Sequence, residues 1–303
     1  MSDQVLIEKI ERLKRERNAV ILVHNYQVEE VQQVADYLGD SLDLSRQAAA
    51  DDAELIIFCG VYFMAETAAI LSPEKTVLIP DLDAGCPMAN MITADGLRNF
   101  KSKHPGAVVV AYVNSSAAVK AESDLCCTSA NAPAVVSSIP PDQEIIFVPD
   151  RFLGDWVMKQ TGRQLILYPG YCPVHRILDL ADIRRARKFY PHALVMVHPE
   201  SPPEVIAAAD RVLSTSGMVR LAGESERSEF IVGTEVDMTT RLRREYPEKK
   251  FYPASDRLIC PNMKKISLEK VLWSLEEKRY PVTVPEEIRL RALKAVEAMV
   301  SIS

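Results

Sequence analysis

The chain has 303 residues, of which 48% are hydrophobic and 26% charged; that is enough chain for several domains at the usual ~100–200 residues each. This balance excludes intrinsic disorder and makes a disulfide scaffold unnecessary. The net charge is 36 − 42 = −6, which argues against a nucleic-acid-coating role, so any anionic ligand must be met by local features.

The first residues alternate charge with Leu and Ile instead of forming a signal-peptide core. No apolar run approaches the ~20 residues that cross a bilayer, so a cytoplasmic protein is expected. Val5, Leu6, Ile10 and Leu13 predict an N-terminal amphipathic helix. A pattern then begins that occurs three times. Residues 19–24 read AVILVH, 107–112 AVVVAY and 193–198 ALVMVH, at offsets of 112 − 24 = 88 and 198 − 112 = 86. The same offsets carry Asp36 to Asp124 to Asp210, Ser41 to Ser129 to Thr215, and Ile57 to Ile145 to Ile231.

Each unit opens with a continuous β-branched run, the pattern of a strand buried on both faces of a parallel sheet. A helical stretch follows (29–38, 116–122, 202–210), then a second strand (55–58, 144–148, 229–232), another helix and a third strand (77–79, 164–167, 250–252). Strands alternating with helices predict an α/β fold of three Rossmann-like α/β/α sandwiches related by pseudo-threefold symmetry, with the active site at their central junction. The expected divisions are 1–88, 89–175 and 176–264, followed by a C-terminal helical segment, 265–303, that packs on them, with Pro285 at the first position of its last helix.

After the third strand of each unit comes a Cys-Pro pair: Cys86-Pro87, Cys172-Pro173 and Cys260-Pro261. Loops at the carboxyl ends of parallel strands gather on the ligand-binding edge, so a threefold arrangement brings three thiols together. Any one of them alone reads as a core cysteine, but burial needs no such repetition. Three sulfurs suit a 4Fe-4S cluster with one iron left open, because the usual complement is four cysteines. Zinc held by three cysteines with an open position is the alternative, although no CxxC of the zinc-ribbon kind is present. Cys59, Cys126 and Cys127 have no such repeat and read as structural residues, Cys59 in a strand and the other two just ahead of a helix.

The end of each first strand carries a pair two residues apart: His24 with Tyr26, Tyr112 with Asn114, and His198 with Glu200. In extended chain such residues point the same way, so each pair can address one ligand with groups fit for proton transfer and carboxylate binding. Glu200 is the natural base among them, with burial expected to raise its pKa toward neutrality. Tyr26 and Tyr112 suit donation. His175, near Cys172, is a further candidate. Ser41, Ser129 and Thr215 precede helical stretches and read as N-caps, whose helix ends form anion sites where they face a cavity.

The chain resembles the quinolinate synthase family along nearly all its length. The resemblance is carried by HNYQ at His24, GDSLDLS at Gly39, GCPMA at Gly85, YVN at Tyr112, CTSANA at Cys127, YCPVH at Tyr171, HPE at His198, STSGM at Ser214, GTE at Gly233 and CPNM at Cys260. It implies a triangular three-domain enzyme of NAD biosynthesis with a 4Fe-4S cluster on Cys86, Cys172 and Cys260, whose open iron acts as a Lewis acid. The implied reaction condenses iminoaspartate with dihydroxyacetone phosphate to give quinolinate, phosphate and two waters, with an aspartate oxidase or dehydrogenase as the source of the imine. The matching motifs extend the substrate-binding set to His24, Ser41, Tyr112, Val113, Asn114, Ser129, His198, Pro199, Glu200 and Thr215, with Tyr26, Tyr112, Glu200, His24 and His198 as catalytic residues. Some relatives carry a CxxC at the last cysteine. Here position 263 is Met, which puts a disulfide switch there in doubt.

Overall fold

A computed structural model describes residues 2–302. The strands are β1 (Ala19–His24), β2 (Tyr37–Gly39), β3 (Leu55–Cys59), β4 (Thr76–Leu78), β5 (Val108–Tyr112), β6 (Leu125–Cys127), β7 (Ile145–Val148), β8 (Ile166–Leu167), β9 (Leu194–Val197), β10 (Arg211–Val212), β11 (Glu229–Gly233) and β12 (Lys250–Pro253). They form three four-stranded sheets of one topology, β2-β1-β3-β4, β6-β5-β7-β8 and β10-β9-β11-β12. All ladder pairs are parallel. Helices connect and flank the strands, so each unit is a Rossmann-like sandwich. β1, β3, β5, β7, β9 and β11 are almost wholly buried, as their unbroken β-branched and aromatic runs require.

The helical stretch after each first strand is present, though the first stops well short of the expected 38, and each is followed by an additional strand that the sequence did not show. Glu29–Gln33 is helical and Tyr37–Gly39 pairs with β1; Ala117–Ala121 precedes β6, and Pro203–Ala208 precedes β10. The repeated aspartates supply the reason. The Asp36 carboxylate accepts the Ile21 N–H at 2.8 Å while the Asp36 N–H donates to the Ile21 carbonyl at 3.0 Å. Asp124 makes the same two bonds to Val109, at 2.7 and 3.0 Å, and Asp210 to Val195, at 2.8 and 2.9 Å. Each aspartate pins the returning chain beside the first strand and so ends the helix. A strand of two or three residues is too short to show a period of its own.

This additional strand also holds Cys126 and Cys127, which lie buried in β6 ahead of the helix Ala132–Ser137. The terminal helices tie the units together. Asp3–Glu16 buries Leu6 and Ile10 and packs on Leu268–Glu277. Glu286–Ser301 buries Ala292, Ala295, Val296 and Met299 against helices of the first two units. Pro285 is the N-cap of that last helix and not its first residue. Asn131 Nδ2 donates to the carbonyls of Met299 and Ile302, both at 2.9 Å, fixing the chain's end to the second unit.

Candidate active site

The carboxyl ends of β1, β5 and β9 face one cavity of about 160 Å³. A cavity of ~150 Å³ is known to admit a single six-membered aromatic ring. The wall includes His24, Tyr26, Ser41, Tyr112, Asn114, Ser129, His198, Glu200 and Thr215, together with all three Cys-Pro cysteines. Val113 and Pro199 are not part of it. The Val113 N–H is spent on the Cys127 carbonyl at 2.8 Å, and both residues sit between side chains that point the other way. Val61, Phe63 and Met64, which no motif indicated, supply an apolar side together with Met88 of the GCPMA turn.

Each Cys-Pro turn is built alike. The carbonyls of Cys86, Cys172 and Cys260 accept the N–H four residues on, at 3.2, 3.0 and 3.3 Å, from Asn90, Arg176 and Lys264. Proline directly after the cysteine fits, since a first-turn residue needs no N–H. The residue two before each cysteine accepts a backbone N–H from the segment that follows the neighbouring strand: Ala84 from Tyr62 at 2.8 Å, Gly170 from Arg151 at 2.9 Å, Leu258 from Val236 at 2.9 Å. A Cβ on Gly170 would collide with the Pro149 carbonyl oxygen. Two turns carry a further anchor, for the buried carboxylates of Asp150 and Glu235 accept the Cys172 and Cys260 N–H at 3.2 and 3.1 Å. The first turn has Val61 at the corresponding place. Lys264, beside Cys260, pairs with Glu235 at 2.7 Å and donates to the Tyr26 carbonyl at 2.6 Å, which ties the third turn to the first unit.

The polar pairs are held by their own backbones. His24 Nδ1 accepts the Tyr26 N–H at 3.2 Å and His198 Nδ1 accepts the Glu200 N–H at 3.4 Å. Their protons therefore sit on Nε2. Burial pushes both imidazoles down to about 3, so each is a neutral donor at physiological pH. The His198 Nε2–H donates to Ser129 Oγ at 3.1 Å. That leaves the serine hydroxyl hydrogen to face a ligand.

Ser41 and Thr215 are not N-caps. Asp40 caps the helix Ser41–Ala50 by accepting from Leu42 and Asp43 N–H, Ser214 caps Thr215–Glu224, and Asn131 precedes Ala132–Ser137. Capping by the preceding residue places Ser41 and Thr215 in the first turn with their hydroxyls free for the cavity. Thr215 Oγ1 accepts from Asn25 Nδ2 at 2.7 Å, which again leaves its hydrogen to donate.

Glu200 lies at the centre, 3% exposed. His175 Nδ1 stands 2.6 Å from Glu200 Oε2 and 3.2 Å from Cys172 Sγ, and its ring stacks on His198 with centroids 4.7 Å apart. Burial alone would raise the Glu200 carboxyl, but the His175 and His198 imidazoles and hydrogen bonds from His175 and Tyr112 prevail and hold it at about 2. The expected rise toward neutrality is thus reversed, because partners on two sides outweigh desolvation. Burial, reinforced by the Glu200 charge, lifts the Tyr26 and Tyr112 phenols well above the ordinary tyrosine value. Tyr26 Oη is 2.5 Å from Thr234 Oγ1, which is 2.8 Å from His175 Nε2. Asn114 Nδ2 donates to Glu200 Oε1 at 3.4 Å, while its buried Oδ1 has no partner.

The three cysteines fit a cationic group. Burial pushes the Cys86 thiol up to about 12, with Cys260 and Glu200 adding to it, and raises Cys172 and Cys260 as well. Cys86 and Cys172 also repel one another's ionised forms. Three clustered thiols that resist ionisation need compensating positive charge before they act as thiolates, and a bound metal centre supplies it. Asp150, which lies in no motif, and Thr234, Glu235 and Asn25, which the sequence marked only as members of the GTE and HNYQ motifs, belong to this assembly.

Comparison with known proteins agrees with this architecture. The model of the family described as Quinolinate synthetase A protein matches residues 8–301. A quinolinate synthase of Dehalococcoides mccartyi strain CBDB1 is 56% identical over all of both chains. That of Thermodesulfovibrio yellowstonii is 53% identical over 98% of each chain, and quinolinate synthase 2 of Methanosarcina acetivorans is 52% identical over 100% of this chain and 97% of its own. No described helix is long and apolar enough to cross a membrane. On the matched length and on these identities, the chain belongs to the quinolinate synthetase A family.

Proposed function

We propose that the chain makes quinolinate by condensing iminoaspartate with dihydroxyacetone phosphate, releasing phosphate and two waters, and that Cys86, Cys172 and Cys260 hold a 4Fe-4S cluster. The observation that carries this reading is the convergence of three like-built Cys-Pro turns and three polar pairs on one ring-sized cavity, in a chain of this family. When bound, such a cluster supplies an iron without a protein thiolate, a Lewis acid for a substrate hydroxyl or carboxylate. The units divide at residues 88, 175 and 264, and an aspartate oxidase or dehydrogenase supplies the imine.

The chain's own residues account for the rest. The hydroxyls of Ser41, Ser129 and Thr215 and the Nε2–H of His24 donate to substrate carboxylates, with His198 orienting the Ser129 hydroxyl, so an acidic protein holds a dianion without a lysine in the site. Asn114 helps orient the substrate with the unpartnered Oδ1. Glu200, ionised throughout the neutral range, accepts the proton lost from the carbon that attacks. Tyr26 and Tyr112, protonated at the same pH, donate to departing water. The apolar side formed by Phe63 and Met88 excludes bulk water from these transfers.

Anaerobic turnover of the reconstituted protein with iminoaspartate, with and without dihydroxyacetone phosphate, tests this. Quinolinate should appear only with the triose phosphate. Dehydration of one acid substrate alone would identify a hydro-lyase, and redox cycling without product would identify a sensor.

A further inference from the structure

We infer that Cys172, His175 and Glu200 also form a site for a single divalent transition-metal ion, zinc above all, which the cluster-free chain takes up and which excludes the cluster. The exclusion rests on the reading above that Cys172 is a cluster ligand; the metal site itself does not.

The three side chains offer Sγ, Nδ1 and a carboxylate oxygen, all within 4.8 Å of one another. Cysteine, histidine and a carboxylate with a fourth position open is a donor set that suits zinc. At zinc–ligand distances of ~2.3 Å for sulfur and ~2.0–2.2 Å for nitrogen and oxygen, tetrahedral angles give separations of ~3.6 Å (S to N) and ~3.4 Å (N to O). The structure has 3.2 Å from Cys172 Sγ to His175 Nδ1 and 2.6 Å from His175 Nδ1 to Glu200 Oε2. Sulfur and imidazole are already within half an ångström of place, and the carboxylate needs to withdraw by less than one.

Each ligand is also braced from behind, as metal ligands need to be. Asp150 accepts the Cys172 N–H at 3.2 Å. Asn114 holds the other carboxylate oxygen of Glu200. Thr234 Oγ1 lies 2.8 Å from His175 Nε2, and a hydroxyl that both donates and accepts serves either tautomer of the ring. In the metal-free chain the Nδ1 proton points at Glu200. Metal at Nδ1 shifts that proton to Nε2, where Thr234 accepts it, and the Cys172 thiol gives its own proton to solvent. The other two cysteines take no part, which separates this site from zinc held by three thiolates.

The test uses the full chain freed of iron under anaerobic, reducing conditions and titrated with Co2+, whose absorption reports thiolate ligation, with Zn2+ as competitor. One thiolate per cobalt is expected. Cys172→Ala, His175→Gln and Glu200→Gln should each weaken binding at least ~10-fold and Thr234→Val by a similar factor, whereas Cys86→Ala and Cys260→Ala should stay within about twofold. A three-thiolate spectrum, or equal losses in all three cysteine variants, would overturn the site. In a second arm, one equivalent of Zn2+ is added before iron and sulfide. Cluster formation should be blocked with zinc and proceed without it. A normal cluster in the zinc-loaded chain would overturn the exclusion, while failure in the zinc-free control would count against the cluster reading and leave the cobalt result standing.

Discussion

Replacing Ser129 by Ala removes one hydroxyl from the anion-binding face, and its effect can be worked from the geometry. In the wild-type chain the neutral His198 donates Nε2–H to Ser129 Oγ at 3.1 Å, so the serine hydrogen is directed to the ligand. A hydrogen bond to a charged group contributes about 1.5–3 kcal/mol, and ~1.36 kcal/mol is a factor of ten. Affinity for a substrate carboxylate should therefore fall by ~10- to 150-fold. The bond exists in ground and transition states alike, so KM should rise by that factor while kcat stays within about threefold. The variant should also unfold more readily, since a buried imidazole N–H left without an acceptor costs about 1–3 kcal/mol. Steady-state quinolinate formation gives the two constants, and equilibrium binding of a pyridine dicarboxylate gives affinity directly. Wild-type affinity for the diacid in Ser129→Ala would refute the assignment, and a fall in kcat at constant KM would move Ser129 into the chemical step.

Three further outcomes follow from the same structure. Glu200→Gln keeps the side chain's shape but removes the proton acceptor, so turnover should drop at least ~100-fold with iron content and diacid binding retained; near-normal turnover would shift the base to another group. The Asp210 carboxyl is lowered, burial being outweighed by the Val195 N–H and Arg187, so its contribution to stability is complete above the ordinary carboxylate value and is lost as pH falls through the lower folded one. The difference in unfolding midpoint between wild type and Asp210→Asn should accordingly shrink on acidification below about pH 4, and a gap that stays constant would refute it. Asp150→Asn turns an amide group toward the Cys172 N–H, and iron should leave that variant at least ~5-fold faster on treatment with a chelator; unchanged release would make the Asp150 contact incidental.

The parallel layers were legible because β1, β5 and β9 are unbroken apolar runs that recur at offsets of 88 and 86 residues, and the Cys-Pro turns because they recur at 86 and 88, two residues out of that register in the middle unit. The strands β2, β6 and β10 were not, being two or three residues long and set by aspartate contacts back to the first strand. Those aspartates were visible as repeats, yet nothing in their spacing distinguished a backbone clip from a ligand. Likewise Ser41 and Thr215 stood where N-caps belong, and only the side chains of Asp40 and Ser214 show that the caps lie one residue earlier. The polar pairs were readable from strand alternation. Their electrostatics were not, because Glu200 is governed by His175, which arrives from another unit, and Thr234 reaches His175 from 59 residues away in the chain.

The central claim is that the three Cys-Pro turns jointly hold the centre on which catalysis depends. Iron and sulfide counts, taken with quinolinate turnover on the same anaerobically reconstituted samples of wild type, Cys86→Ala, Cys172→Ala, Cys260→Ala and Cys126→Ala, test it most directly. Wild type and Cys126→Ala should carry about four of each per chain and form quinolinate, and the other three variants should lack both cluster and product. A full cluster in Cys172→Ala, or turnover in a chain without iron, would contradict the account.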